Sequence, residues 1–102
     1  MEYGLSNSDV LHIKKVFAAN PEVGEVILFG SRAMGNFKPG SDIDLAVVSD
    51  TLTFDGLLEL ESQLEQLGLL YRIDLQNLKK IKDPDVIDHI SRVGKIFYKK
   101  GE

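Results

Sequence analysis

The stretch LFGSRAMGNFKPGSDIDLAVV, residues 28–48, decides how the rest of this chain is interpreted. An apolar run ends at Gly30 and Ser31, a polar connection follows, and a second apolar run begins with Asp42 and Asp44. Residues i and i+2 of a strand point to the same face, so the two carboxylates would share one surface with their Cα atoms about 6.5 Å apart. Like charges at this separation oppose each other, and a bound cation would relieve the repulsion.

The flanking sequence predicts three longer helices and two further strands. Apolar residues recur at helical spacing in residues 6–19, 54–67 and 83–94, and the last of these begins with the N-cap and N1 pair Asp83 and Pro84. Short apolar runs predict strands at residues 25–29, 42–49, 71–75 and 95–98. Ser31 is expected to cap a short helical turn after the first strand. The order indicates an α/β (α+β) fold with one sheet covered by helices, and it leaves the direction of pairing between the first two strands open.

Composition limits the classes of function. The chain has 102 residues, which fits a single domain over residues 1–102, and 43% of them are apolar, enough for a core. The net charge of −4 argues against binding to long nucleic acid, and the chain has no cysteine for a thiolate metal site. No signal-peptide pattern and no run of about 18 apolar residues is present, so we expect a cytoplasmic protein without a membrane partner.

Three aspartates are the candidate metal ligands and catalytic residues. Asp74 lies in the strand at residues 71–75, and if that strand neighbours the strand of Asp42 and Asp44, the three carboxylates converge. Oxygen ligands suit Mg²⁺, which proteins bind through one or two carboxylates together with substrate phosphates. A pair of such ions activates the attacking oxygen and stabilises the leaving oxygen in a phosphoryl displacement, and Asp74 would help to accept the proton of the nucleophile.

The other half of the candidate site binds phosphate. Gly30 permits close approach of the backbone, the amides that follow it form an anion site, and the Ser31 hydroxyl is a donor. Arg32 and Lys38 are candidates for further phosphate contact, although an ordinary surface charge is the simpler interpretation of each. The two histidines, His12 and His89, are interpreted as surface or boundary residues of their helices.

The segment GSRAMGNFKPGSDIDLAV, residues 30–47, resembles the signature of the DNA polymerase β-like nucleotidyltransferase superfamily, which is Gly-Ser, about ten residues, then Asp-x-Asp. Its Gly-Ser-Arg-Ala form resembles the minimal nucleotidyltransferases, the MNT proteins of prokaryotes. The resemblance implies a small mixed sheet flanked by helices and transfer of a nucleoside monophosphate with two Mg²⁺ ions. It implies that Asp42 and Asp44 bind the metal, that Asp74 is the third catalytic carboxylate, and that Gly30 and Ser31 bind the triphosphate.

The same resemblance implies a biological role. Minimal nucleotidyltransferases are commonly antitoxins paired with HEPN-domain toxins, and such an antitoxin transfers AMP from ATP to a tyrosine of its toxin. We therefore expect a protein adenylyltransferase whose acceptor surface comes from a partner or an oligomer. Two alternatives stay open: an antitoxin that neutralises its partner by binding alone, and nucleotidyl transfer to a small molecule.

Overall fold

The computed structural model describes residues 2–101, so Met1 and Glu102 of the predicted domain lie outside it. Four helices and four strands follow one another along these residues, and a short 3-10 turn at Leu78–Lys80 precedes the last helix. In chain order they are α1 (Asn7–Ala18), β1 (Glu25–Phe29), α2 (Gly30–Met34), β2 (Ile43–Val48), α3 (Phe54–Glu65), β3 (Ile73–Asn77), α4 (Pro84–Val93) and β4 (Lys95–Lys99).

The four strands form one mixed sheet in the order β3-β2-β1-β4. Strand β1 is antiparallel to both of its neighbours, β2 and β4, whereas β2 and β3 are parallel and are connected through α3. The predicted fold is thereby confirmed, and the open question of direction is answered: the connection of about a dozen residues between β1 and β2 makes an antiparallel pair. A crossover helix is the usual way to join two parallel strands.

The two faces of the sheet are covered by different helices. On one face, α1 and α3 pack on alternate strand residues, and the fully buried members of this core include Phe17, Leu28, Leu45 and Leu60. On the other face, α4 packs through Ile90 on a smaller apolar cluster with Phe29 and Ala46. Because side chains alternate along β2, Asp44 points to the face of α4, while Ile43 and Leu45 point into the larger core.

The helix ends follow their local signals closely. The side chains of Ser6, Thr53 and Asp83 accept backbone N–H groups at the starts of α1, α3 and α4. The longest helices have twelve residues, and no helix within residues 2–101 has the length and apolarity that a bilayer crossing requires. The predicted cap at Ser31 is wrong: α2 begins at Gly30, its N-cap is Phe29, and Ser31 lies within the helix.

Candidate active site

Two carboxylates meet where β2 and β3 begin. The parallel register pairs Asp44 of β2 directly with Asp74 of β3, on the face of the sheet that α4 covers. The condition that the sequence left open, that these two strands are neighbours, is therefore met. The two aspartates are thirty residues apart in the sequence, and they become neighbours because α3 connects the parallel strands β2 and β3.

Asp42 has a different neighbour. It precedes β2, and the residue opposite it is Arg72, whose Nη1 lies 3.3 Å from Asp42 Oδ2. Both side chains are largely exposed, at 44% for Asp42 and 75% for Arg72. The entrance of the two strands therefore carries an Asp42–Arg72 ion pair followed by the two carboxylates of Asp44 and Asp74.

Arg72 is not among the predicted site residues, although the sequence carries a signal for it. The motif Arg-Ile-Asp at residues 72–74 repeats Asp-Ile-Asp at residues 42–44 with one change, and the parallel register aligns the two motifs. For two neighbouring parallel strands, aligning the two motifs predicts that Arg72 lies opposite Asp42.

Gly30, the residue that follows β1, lies against the carboxylate of Asp44. Its φ of +74° lies in the left-handed region, and a Cβ added to Gly30 would overlap Oδ2 of Asp44. Glycine is thus required at this position for two reasons, backbone conformation and the space that the carboxylate occupies. The preceding residue, Phe29, pairs with Asp44 in the antiparallel register of β1 and β2. This pairing keeps the turn at Gly30 and Ser31, the Gly30–Ser31 corner, next to the Asp44 carboxylate.

The electrostatics of Asp44 indicate a place for a cation. Burial raises the pKa of Asp44 above its ordinary value, and the neighbouring carboxylates of Asp74 and Asp42 raise it further. The nearby His89 and Arg72 offset this increase in the pKa of Asp44 only in part. A carboxylate whose ionised form is disfavoured by burial and by two like charges gains from a bound cation.

His89 of α4 belongs to this site, contrary to its interpretation as an ordinary surface or boundary residue. Its Nε2 accepts a hydrogen bond from the backbone N–H of Gly30 at 3.0 Å. The available sequence signal is the apolar stripe of α4: His89 lies three residues after Val86 and next to the buried Ile90, on the side that packs on the sheet. That stripe indicates a histidine facing the sheet, but it does not indicate the partner.

Arg32 is not placed as the sequence prediction expected. Its side chain is only 2% exposed, so the guanidinium does not lie on the phosphate-binding surface. Instead it donates to the carbonyl oxygens of Tyr3, Pro39 and Ser41. The guanidinium carbon also lies 5.0 Å from the ring centroid of Phe37 and 4.7 Å from that of Tyr71. These contacts give Arg32 a structural role.

The remaining predicted phosphate ligands differ in exposure. Ser31 follows Gly30 directly and is half-buried. Its hydroxyl does not cap α2 as expected, while its contact with phosphate stays a prediction. Lys38 is exposed on the connection between α2 and β2, where its backbone N–H donates to the Ser41 hydroxyl. Ser31 adjoins the corner next to Asp44, whereas Lys38 lies on the exposed connection.

The oxygen donors of the site fit a hard divalent cation. Asp44 and Asp74 supply only oxygen ligands, which Mg²⁺ prefers. Within residues 2–101, however, no three acidic, histidine or cysteine side chains lie close enough together to hold a metal ion. Asp44 and Asp74 are register partners, whereas the carboxylate of Asp42 pairs with Arg72. The binding of a metal ion by the three aspartates stays a prediction.

Comparison with known proteins agrees with this geometry. The family model of polymerase β nucleotidyltransferases matches residues 12–102, nearly the whole chain. No curated protein sequence matches this chain significantly.

Solved structures with similar folds include toxin–antitoxin complexes. A chain of a toxin–antitoxin structure with AMP-PNP is 26% identical, with a TM-score of 0.70 and coverage of 95% of this chain and 76% of that chain. A chain from the complex of the tri-AMPylated Shewanella oneidensis HEPN toxin with its MNT antitoxin is also 26% identical, with a TM-score of 0.69 and coverage of 94% and 74%. A nucleotidyltransferase-like protein from Sulfolobus solfataricus, 18% identical, has a TM-score of 0.55 with coverage of 100% and 92% and shows the shared fold alone.

Proposed function

This chain belongs to the polymerase β nucleotidyltransferase family, and we propose that it transfers AMP from ATP to a hydroxyl group of a HEPN-type toxin, as the antitoxin of that toxin. The observation that carries this proposal is the pairing of Asp44 with Asp74 beside the Gly30 corner. Two carboxylates thus lie at one end of the sheet beside Gly30 and Ser31, the residues for which we propose phosphate binding.

The neighbours support both the nucleotide and the acceptor. One similar structure contains AMP-PNP, an ATP analogue, and another contains a HEPN toxin that carries AMP groups. A tyrosine hydroxyl of the partner is the acceptor we propose, in accordance with the sequence hypothesis. Since ATP and the toxin have to meet the enzyme, we place the reaction in the cytoplasm.

In the proposed reaction the residues of the site have different roles. Gly30 and Ser31 hold the triphosphate, with the Ser31 hydroxyl donating to a phosphate oxygen. The acceptor oxygen attacks the α-phosphorus, the bond to the bridging oxygen breaks, and pyrophosphate leaves. Asp74, paired with Asp44 and half-buried, accepts the proton of the acceptor hydroxyl.

Asp44 and Asp74 are the residues we expect to hold Mg²⁺, and Asp42 joins them once its carboxylate leaves Arg72. The metal would supply neutralisation of the charge that develops on the triphosphate, as it does in in-line phosphoryl displacements. Its binding would also lower the repulsion among the three carboxylates.

The test is to mix the protein with the product of its neighbouring gene and Mg-ATP, and then to measure the intact mass of the partner. We expect mass increments of AMP with the wild type and none with Asp44→Asn or Asp74→Asn. Asp50→Asn is the matched control, because Asp50 is an exposed aspartate just beyond the opposite end of β2. It should modify the partner as the wild type does.

Three outcomes would overturn the proposal. An unmodified partner that is still neutralised would show an antitoxin that acts by binding alone. A partner that is modified equally by the wild type and by Asp44→Asn would show that the AMP transfer is not performed at this site. Transfer to a small molecule would appear as ATP consumption without any change in the mass of the partner.

A further inference from the structure

His89 is fixed in place by its surroundings on α4. The ring meets the ring of Phe29 edge to face, with centroids 6.2 Å apart and an angle of 77° between the planes. Phe29 is itself buried in the small apolar cluster with Ala46 and Ile90. In the observed orientation of the imidazole, Nε2 accepts the N–H of Gly30.

The Gly30 amide needs such an acceptor. It is the first backbone group after β1, where the pairing with β2 ends at Phe29 and Asp44. It is also the first residue of α2, and the first amides of a helix have no partner within the helix. A partly buried amide without an acceptor destabilises the conformation that leaves it unpaired. His89 removes that penalty in the conformation in which Gly30 has its φ of +74°.

We propose that His89 is a positioning residue for the nucleotide. By accepting the Gly30 N–H, it holds the Gly30–Ser31 corner in the conformation that binds the triphosphate and keeps the backbone clear of the Asp44 carboxylate. This inference rests on the proposed function. It also divides the roles of the two residues: the Gly30 amide is engaged by His89, so Gly30 contributes close backbone approach to the triphosphate, and the hydrogen bonds to phosphate come from Ser31.

The chemistry of the ring allows a sharp comparison of variants. An Nε2 that accepts a hydrogen bond requires a neutral ring with its proton on Nδ1. A glutamine side chain places an amide oxygen at the reach of Nε2, whereas the shorter asparagine does not reach that position. His89→Gln should therefore keep the bond to Gly30, and His89→Asn should lose it. His12→Ala is the control, since His12 is exposed on α1 at the other face of the sheet.

The first measurement concerns the protein alone, without nucleotide. We expect ¹⁵N NMR to show the Nδ1–H tautomer for His89. The Gly30 amide should exchange with solvent more slowly in the wild type, His89→Gln and His12→Ala than in His89→Asn. A His89 ring protonated on Nε2, or the same exchange rate in all four proteins, would overturn the positioning role.

The second measurement is the affinity for AMP-PNP with Mg²⁺, in the absence of any acceptor. We expect His89→Asn to bind roughly two- to tenfold more weakly than the wild type, the factor that one neutral hydrogen bond provides. His89→Gln and His12→Ala should bind as the wild type does, and thermal unfolding should show that each variant is folded. Equal affinities in all four proteins would overturn the positioning role alone, whereas a wild type that does not bind AMP-PNP would overturn the proposed function together with this inference.

Discussion

Arg32 donates hydrogen bonds from both Nε and Nη2 to the carbonyl oxygen of Ser41, at 3.1 and 2.8 Å. Ser41 is the residue before Asp42, so the buried guanidinium fixes the backbone just before β2. The same side chain reaches the carbonyl oxygen of Tyr3 at 2.9 Å and lies against the ring of Tyr71, just before β3. Arg32 thus joins three segments that are distant in the sequence.

We expect Arg32→Lys to lower the free energy of unfolding by about 2 kcal/mol or more. Lysine keeps the positive charge but lacks the planar fork of donors, so buried carbonyl oxygens lose their partners, at about 1–3 kcal/mol for each group left unsatisfied. Urea denaturation monitored by circular dichroism measures the change.

The control is Arg92→Lys, because Arg92 is an exposed arginine that forms an ion pair with Asp88 on the surface of α4. Its free energy of unfolding should change by less than about 0.5 kcal/mol. If Arg32→Lys were as stable as the wild type and instead lost affinity for nucleotide, the phosphate-binding role predicted from the sequence would be right and the structural role wrong.

Most of the fold was readable from local signals. The cap residues Ser6 and Asp83 and the apolar periodicity located the helices, and the bounds of the strands moved by two residues or fewer at either end. The direction of β1 against β2 was not readable, because a connection of about a dozen residues accommodates either direction. Only the packing of both faces selects the antiparallel pair.

The site was readable in its carboxylates but not in its partners. Asp42 and Asp44 stood out because two aspartates at the start of an apolar strand oppose local propensity, and Asp74 was noted as the single aspartate of the next predicted strand. The roles of Arg32, Arg72 and His89 depend on which segments meet in space, and that information lies outside any local pattern. A buried arginine next to a glycine–serine motif is indistinguishable in sequence from a phosphate-binding one.

Gly30 and Gly35 form a matched pair for testing the corner. Both have positive φ, +74° and +85°, but an added Cβ at Gly30 overlaps the Asp44 carboxylate, whereas one at Gly35 has no atom within 4 Å. Both alanine variants should lose about 1–3 kcal/mol of stability from the left-handed backbone. Only Gly30→Ala should also lose nucleotidyl transfer, because it displaces Asp44.

Transfer activity and thermal unfolding, measured side by side on the two variants, check this expectation. Equal loss of activity in Gly30→Ala and Gly35→Ala would mean that backbone strain alone affects the site. Full activity in Gly30→Ala would contradict the close approach of Gly30 to Asp44.

Asp44→Asn should raise the thermal stability at neutral pH without Mg²⁺, while it abolishes transfer. The pKa of Asp44 is raised in the folded state by burial, Asp74 and Asp42. Below about pH 3.9 the group is protonated in both folded and unfolded states, so it does not affect stability. As the pH rises from there through the raised pKa, the folded wild type takes on a disfavoured charge and loses stability relative to Asp44→Asn.

Asp50→Asn should show the opposite sign. The hydrogen bond and charge of Lys79 hold the pKa of Asp50 below its ordinary value, so the ionised aspartate is favoured in the folded state. The wild type then gains stability relative to Asp50→Asn as the pH rises towards about 3.9, and it keeps that gain above. Thermal unfolding of the three proteins across pH 3 to 8 measures both slopes, and a common sign for both variants would contradict the electrostatic account of Asp44.

Arg72→Gln should lower the Mg²⁺ concentration needed for half-maximal transfer. Arg72 pairs with Asp42 at 3.3 Å, so it competes with a cation for that carboxylate and adds a positive charge beside Asp74. Because both members of the pair are largely exposed, the free energy of unfolding should change by less than about 1 kcal/mol. The matched control is Arg92→Gln, which removes a similarly exposed pair with Asp88 on α4. A higher Mg²⁺ requirement, or loss of transfer at saturating Mg²⁺, in Arg72→Gln alone would instead assign Arg72 to the triphosphate.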